Sequence, residues 1–181
     1  MDSKGGFKMK TRKIGLEEIT KMIDPIVGMR ASDWYLVTAE HDGVANTLTA
    51  AWGGFGNVCE KKVATVYIRP QRHTKKFMDA SGRFTMTYFD YEKYAKALVY
   101  LGSHSGADEP DKIQNAGLTL AHINGQPTFE EGKLVLLCRT IFRQQLAPEN
   151  FTDPEVAEKA FPDKDYSVMY IAEIEEAYVI N

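Results

Sequence analysis

The sequence is poor in the features that most quickly assign a protein. Its 181 residues hold two cysteines, Cys59 and Cys138, with neither metal-ligand spacing nor a disulfide framework, which favours a reducing compartment and inert thiols. The four histidines, His41, His73, His104 and His122, are scattered, so no His-x-x-x-His or mixed Cys/His metal site is expected. No apolar run approaches the ~20 residues of a membrane span. The opening Met1 to Lys8 has no apolar stretch behind its charges, so neither anchor nor leader is expected and the chain reads as cytoplasmic. Basic residues are not in excess: a net charge of -3 argues against general nucleic-acid binding. Neither a Gly-x-Gly-x-x-Gly turn nor a phosphate-binding Gly-Lys-Thr loop is present, which removes Rossmann and P-loop sites. His104 stands at the centre of Gly102 to Gly106, where a nucleophile elbow needs serine, so a hydrolase is not expected.

What remains is a chain with 44% hydrophobic and 26% charged residues, as in ordinary globular proteins, and long enough for one domain with one core. Residues 1–12 read as a flexible lead-in and residues 13–181 as the domain. Leu16 to Ile23 predicts a short helix stopped by Pro25, with Gly28 following. Trp34 to Glu40 and Val44 to Trp52 predict a β-hairpin around a turn containing Asp42-Gly43. Gly53 to Asn57 reads as a loop, because so many glycines weaken a regular element. Val63 to Ile68 predicts a strand, Thr74 to Ser81 a helix with Thr74 as N-cap and Gly82 as its stop, and Phe84 to Phe89 another strand. Helices are expected over Tyr91 to Leu101, Glu109 to Ala116 and Pro154 to Phe161. Leu134 to Phe142 predicts a strand buried on both faces, and Val168 to Ile174 and Ala177 to Ile180 two closing strands. Strands outnumber helices without alternating with them. The expected fold class is therefore mainly β, an antiparallel barrel or sandwich with inserted helices.

Two stretches invite chemistry. Arg69-Pro70-Gln71-Arg72-His73-Thr74-Lys75-Lys76 puts cations at a helix start, where the dipole disfavours them unless an anion is held there. A solvated basic patch is the competing reading. Asn46-Thr47-Leu48-Thr49-Ala50-Ala51-Trp52 offers small hydroxyls, an amide and missing side chains, as close approach to a flat ligand requires. The alternative is an ordinary strand with one face to solvent.

These stretches, followed by Tyr67-Ile68-Arg69-Pro70, Ser105-Gly106-Ala107-Asp108, Asp111-Lys112 and Ala116-Gly117-Leu118-Thr119, resemble in order the flavin reductase-like family. The resemblance runs from about residue 26 to the C-terminus and implies the FMN-binding split β-barrel, a Greek-key antiparallel barrel. It implies non-covalent FMN, with Asn46, Thr47 and Thr49 along the ribityl chain and ring edge, and Ala50, Ala51 and Trp52 beside the ring. Arg69 and Thr74, with Arg72 or His73, would hold the phosphate, Ser105 and Gly106 would close over the cofactor, and Lys112 would add a cation. It further implies a homodimer, NADH or NADPH as donor, and a free flavin, metal complex or redox partner protein as acceptor. Two departures stand out, Ala107 where the family often has arginine and Tyr166 where many members have histidine. The alternatives are a non-catalytic FMN-binding electron carrier, flavoredoxin-like and without a nicotinamide site, and a flavin-free split-barrel binding protein.

Overall fold

The computed structural model describes residues 9–22 and 33–181. Its scaffold is one large antiparallel sheet and a small two-stranded one, and three two-residue hairpin turns, two in the first and one in the second, set the local register. In the first, β2 (Tyr35–His41) returns as β3 (Val44–Ala50), with His41 opposite Val44. Asp42 and Gly43 both take positive φ, 51° and 74°, the twist-matched geometry for which Asp-Gly is suited. The same geometry recurs at Cys59-Glu60 and at Asn124-Gly125. Cys59-Glu60 joins β4 (Gly53–Val58) to β5 (Lys61–Ile68). Asn124-Gly125 joins β7 (Leu120–Ile123) to β8 (Gln126–Phe129) in a separate two-stranded sheet.

The expected loop at Gly53 to Asn57 is thus an edge strand. An edge strand needs a partner on one side only, and β5 supplies it residue for residue from Gly53↔Val66 to Val58↔Lys61. Gly53 is required sterically, since a Cβ there would lie 2.2 Å from the Thr65 carbonyl oxygen. Residues 11 and 12, expected in the loose lead-in, also join the sheet: β1 (Thr11–Ile14) pairs with the end of β10 (Val168–Ile180). A 3-10 helix at Leu16–Lys21 follows, while Pro25 and Gly28 lie outside the described residues. The two closing strands are one, because bulges at Ile171/Ala172 and Ile174/Glu176 absorb the break in alternation.

The main path runs β3-β2-β6-β9-β10-β5-β4, with β6 at Arg83–Tyr88 and β9 at Leu134–Gln145. Its two flanks, β3 and β4, are consecutive in the chain and joined through Ala51-Trp52. The sheet therefore rolls up, and Leu48 and Ala50 of β3 share one core with Ala64 and Val66 of β5 and Tyr170 of β10. The expected mainly antiparallel barrel with inserted helices is what forms.

Helix α1 (Thr74–Ser81) ends at Gly82, whose φ of 66° lets its N–H reach the Met78 carbonyl at 2.9 Å. The N-cap is His73, and Thr74 is the first helical residue. Helix α2 (Tyr91–Ser103) lays Ala97, Leu98 and Leu101 over Leu36 and Phe129 outside the barrel. Each of the two leucines contributes roughly 1.5–3 kcal/mol by burial. The helix expected from Glu109 contracts to α3 (Lys112–Asn115), because the backbone after Ser105 turns first, with the Asp108 and Glu109 amides both donating to the Ser105 carbonyl. Helix α4 (Pro154–Ala160) is capped by Asp153, which accepts from the Glu155 amide at 3.1 Å. No helix among the described residues is long and apolar enough to cross a membrane.

Candidate functional site

Where the rolled sheet's flanks meet, β3, the end of β5, the start of α1 and the 103–112 segment surround two adjoining grooves of about 280 and 180 Å³ that share Leu48 and Arg72. The first is lined by Thr49, Ala50, Ala51, Trp52 and Arg69, with Tyr67 and Ser167. The second is lined by His73, Thr74, Ser105, Gly106 and Lys112, with Gln71. Residues far apart in the chain thus converge on one surface.

Alternation along β3 sorts its polar residues. Asn46 points toward α1, where its Oδ1 accepts from the Thr74 hydroxyl at 2.8 Å. The Thr74 hydroxyl is thus spent on β3 and makes no cap bond to its own helix. Thr47 faces the opposite way: it is fully buried, donates to the Val37 carbonyl at 3.2 Å and shares a 2.9 Å bond with the Thr38 hydroxyl. It lines neither groove, so the expectation that its hydroxyl faces a ligand is corrected. Thr49 does line the first groove, although its hydroxyl proton is committed to the Leu98 carbonyl at 2.5 Å.

The cations are not equivalent. Arg69 is already partnered: one guanidinium nitrogen pairs with Asp165, another donates to the Ala160 carbonyl at 3.1 Å, and the group lies 5.5 Å over the Phe161 ring. Gln71 bonds the same Asp165 at 2.6 Å, and these two contacts, Gln71 first, hold that carboxyl below its ordinary pKa. Lys75, expected beside an anion, instead pairs with Asp79 one turn on at 2.6 Å.

Arg72 and Lys112 carry no such compensation. Arg72 Nη1 donates to the Gly102 carbonyl at 2.6 Å, but Nη2 is buried without a partner among the described residues. Burial, and then Arg69, lower the pKa of Arg72. Lys112, 2% exposed, donates from Nζ to the His104 carbonyl at 2.9 Å. Burial first and the neighbouring Arg72 second bring it from 10.5 down to about 8, against a smaller opposing pull from Glu109. Glu109 itself is bonded by the Tyr100 hydroxyl and the Asn115 amide. His73, at the helix start, is shifted down by burial, then by Lys76 and Lys112.

A buried ammonium beside a half-buried guanidinium, with no carboxylate among the described residues between them, is costly unless an anion arrives. A buried guanidinium nitrogen with no acceptor is the open coordination position a phosphate oxygen fills. The 103–106 segment is fitted to this place. A Cβ on Gly106 would lie 1.9 Å from Asn46 Nδ2, so only glycine lets the loop close onto β3. Ser105 Oγ accepts from the Ala107 amide at 3.2 Å. In the first groove Trp52 is 47% exposed and packs edge-on against Phe161, 5.8 Å between centroids. The Tyr35 hydroxyl fixes the Trp52 carbonyl at 2.9 Å.

Tyr67, Gln71 and Ser167 were not singled out as site residues. Tyr67 was within reach of the sequence, since it stands two residues before Arg69 at the end of β5, where extended backbone sends alternate side chains the same way. No His/Cys/Asp/Glu group among the described residues is arranged to hold a metal.

The fold decides the comparison with solved structures. An FMN-binding domain of a flavin reductases-like enzyme from Shewanella baltica superposes with a TM-score of 0.69 over 94% of this chain and 78% of that one, at 21% identity. Flavoredoxin from Methanosarcina acetivorans gives 0.63 over 81% and 67%, at 19% identity. The chain has the split-barrel fold of FMN-binding, flavin reductase-like proteins. No family model matches it. An uncharacterized protein of Aeropyrum pernix is 33% identical over 122 residues, which is 66% of this chain and 43% of that relative's length.

Proposed function

We propose that the protein is an FMN-binding oxidoreductase of the flavin reductase type, which passes electrons from NADH or NADPH through bound FMN to an acceptor. The observation that carries this reading is the Arg72–Lys112 pair, a half-buried guanidinium with a buried Nη2 and a buried ammonium, neither in an ion pair with a carboxylate among the described residues, beside a groove walled by an indole and small side chains. Arg72 Nη2, Lys112 Nζ and the start of α1 would hold the phosphate by charge-assisted hydrogen bonds. Ser105 and Gly106 would close over the chain that joins phosphate to ring. Thr49, Ala50 and Ala51, short enough for close approach, would border the ring, with Trp52 shielding one side from water. FMN, when bound, would take a hydride from a nicotinamide and give up electrons to an acceptor. The protein's own part is to orient the two molecules and exclude water, and no side-chain acid or base is required of it. Arg69, neutralised by Asp165, would hold the Phe161 segment in place more than it would hold phosphate.

The described partners in this reading are a second copy of the chain, forming a homodimer, and a small molecule or redox protein as acceptor, in the cytoplasm. Support for FMN over other phosphorylated ligands comes from the Shewanella and Methanosarcina proteins of the same fold, an FMN-binding domain and a flavoredoxin.

The test is a titration of the purified full chain with FMN and with riboflavin, which lacks only the phosphate. FMN should bind at least about tenfold more tightly, the effect of one or two charge-assisted contacts. Equal affinity, or no binding of either, overturns the reading. Anaerobic addition of NADH or NADPH should then bleach the bound flavin. A flavin left oxidised by both donors refutes the reductase and leaves an electron carrier.

A further inference from the structure

Lys112 is a buried primary amine that still lines an open groove, and an amine is a nucleophile as well as a charge. It stands first in α3, is 2% exposed, and donates from Nζ to the His104 carbonyl at 2.9 Å. The groove, about 180 Å³, is shared with Arg72, His73 and Ser105. No aspartate or glutamate among the described residues lines it. Glu109 acts on Lys112 only weakly and is itself committed to the Tyr100 hydroxyl and the Asn115 amide.

These surroundings have two chemical effects. Burial, and then Arg72, favour the uncharged amine, so that roughly a tenth of it is neutral at pH 7, a few hundredfold the share in a solvated lysine. Beside it, Arg72 Nη1 is spent on the Gly102 carbonyl, while Nη2 is buried with no acceptor among the described residues. A neutral amine next to an unsatisfied guanidinium nitrogen suits an electrophile that leaves a negative charge behind. An aldehyde does not, because its imine, once protonated, is again a cation facing Arg72. Carbon dioxide does.

We propose that Lys112 is a site of reversible carbamylation by carbon dioxide, with Arg72 as counter-ion to the carbamate. The Nζ lone pair attacks the carbon of CO2, one C–O π bond opens to leave the carboxylate oxygen, and a proton passes from the nitrogen to water. The N–H that remains can still donate to the His104 carbonyl. The new carboxylate gives Nη2 its missing acceptor through a charge-assisted hydrogen bond. One small molecule thus removes a buried cation and supplies the anion, easing both costs together. The carbamate also takes the place of an incoming phosphate; that it thereby regulates FMN binding rests on the flavin reading, whereas the modification itself does not.

The experiment equilibrates the full chain with isotope-labelled bicarbonate and CO2 at about pH 8, where half of the amine is neutral. Triethyloxonium then esterifies any carbamate, and peptide mass spectrometry locates it. Lys112 should carry the label well above every other lysine, and the α-amino group, an ordinary amine of similar pKa, calibrates the yield. Arg72→Gln should cut the trapped fraction at Lys112 about fivefold or more, since it removes both the counter-ion and the charge that keeps the amine neutral. Inorganic phosphate, which competes for the same cations, should lower it too. Circular dichroism and the melting temperature confirm that the variant is folded. Label at Lys112 no greater than at other lysines, or undiminished in folded Arg72→Gln, overturns the assignment. FMN affinity is measured in parallel with CO2 and bicarbonate and in chloride of equal ionic strength, and should fall in the former. A fall without an adduct marks bicarbonate as a competing anion only and overturns the modification. Affinity unchanged while Lys112 is carbamylated overturns the regulation. If the adduct forms and FMN binds in neither buffer, the flavin reading falls and the modification stands; if FMN binds and no adduct forms, the modification alone falls.

Discussion

Lys112 gives the sharpest handle on the anion site, because the structure sets both the sign and the size of its response to pH. The ammonium is buried and faces Arg72, and the two together lower its pKa from 10.5 to about 8. That fall corresponds to at most about 3 kcal/mol against the charged form, less whatever solvent reaches the group. In the ligand-free protein the lysine at pH 7 is charged and destabilising. Between pH 8 and 10.5 the unfolded chain holds a proton that the folded chain releases, so stability should rise with pH across that window. A bound phosphate reverses the preference by supplying the missing counter-charge, so binding above pH 8 must take up a proton. A phosphate monoester has its second ionisation near pH 6, at about 6, and contributes little further change above neutrality. FMN affinity should therefore be nearly level around pH 7 and about tenfold weaker at pH 9. Lys112→Met keeps the volume and removes the charge. It should flatten that profile, weaken FMN binding at pH 7 and raise ligand-free stability by ~1–3 kcal/mol. Flavin fluorescence titrations across the pH range, paired with urea denaturation, measure both quantities. A wild-type profile flat to pH 9, or a Lys112→Met variant that falls as steeply as wild type, would refute the reasoning.

Other substitutions probe the scaffold around it. Gly106→Ala pushes a methyl group into Asn46 Nδ2, and because Thr74 pins Asn46, the loop must move, at a cost of about 1–3 kcal/mol in urea denaturation; an unchanged midpoint would show that Asn46 yields freely. Thr74→Val leaves Asn46 Oδ1 without its donor, which should cost about 1–3 kcal/mol in the same assay. Asp165→Asn frees Arg69 from its partner, so thermal stability should fall while FMN, and not riboflavin, binds more tightly; a parallel gain for both flavins would count against a phosphate effect. Glu60→Gly removes a side chain held at φ 61° and should raise the melting temperature, by up to about 1 kcal/mol of stability.

Local chemistry made some of the architecture legible. Asp42-Gly43 encodes its hairpin because both residues accept left-handed backbone, and Gly82 encodes the end of α1 for the same reason. Asn124-Gly125 carries as strong a signal and marks the β7–β8 turn that was not read from the sequence. The glycines of β4 misled, because their low propensity is a local cost that pairing with β5 overrides. The break at Glu175 suggested two strands, since nothing local distinguishes a bulge from a turn. At the site, residue types were readable and pairings were not. Lys75 looked equivalent to Arg72 until Asp79, four residues on, claimed it. Thr47 looked equivalent to Asn46, yet strand alternation sends them to opposite faces. The convergence of Arg72 with Lys112 depends on how the sheet closes, which no stretch of sequence contains.

The Ala51-Trp52 link has a bearing on how such a protein can change. It spans the seam between the sheet's two flanks, outside the strands whose hydrogen bonds hold the roll together. A residue inserted into a strand would throw side chains onto the wrong face. One inserted at the seam would only widen the aperture, as a surface connection tolerates. The length of this link is an adjustable diaphragm, through which the mouth of the groove can be resized while the barrel behind it stays in register.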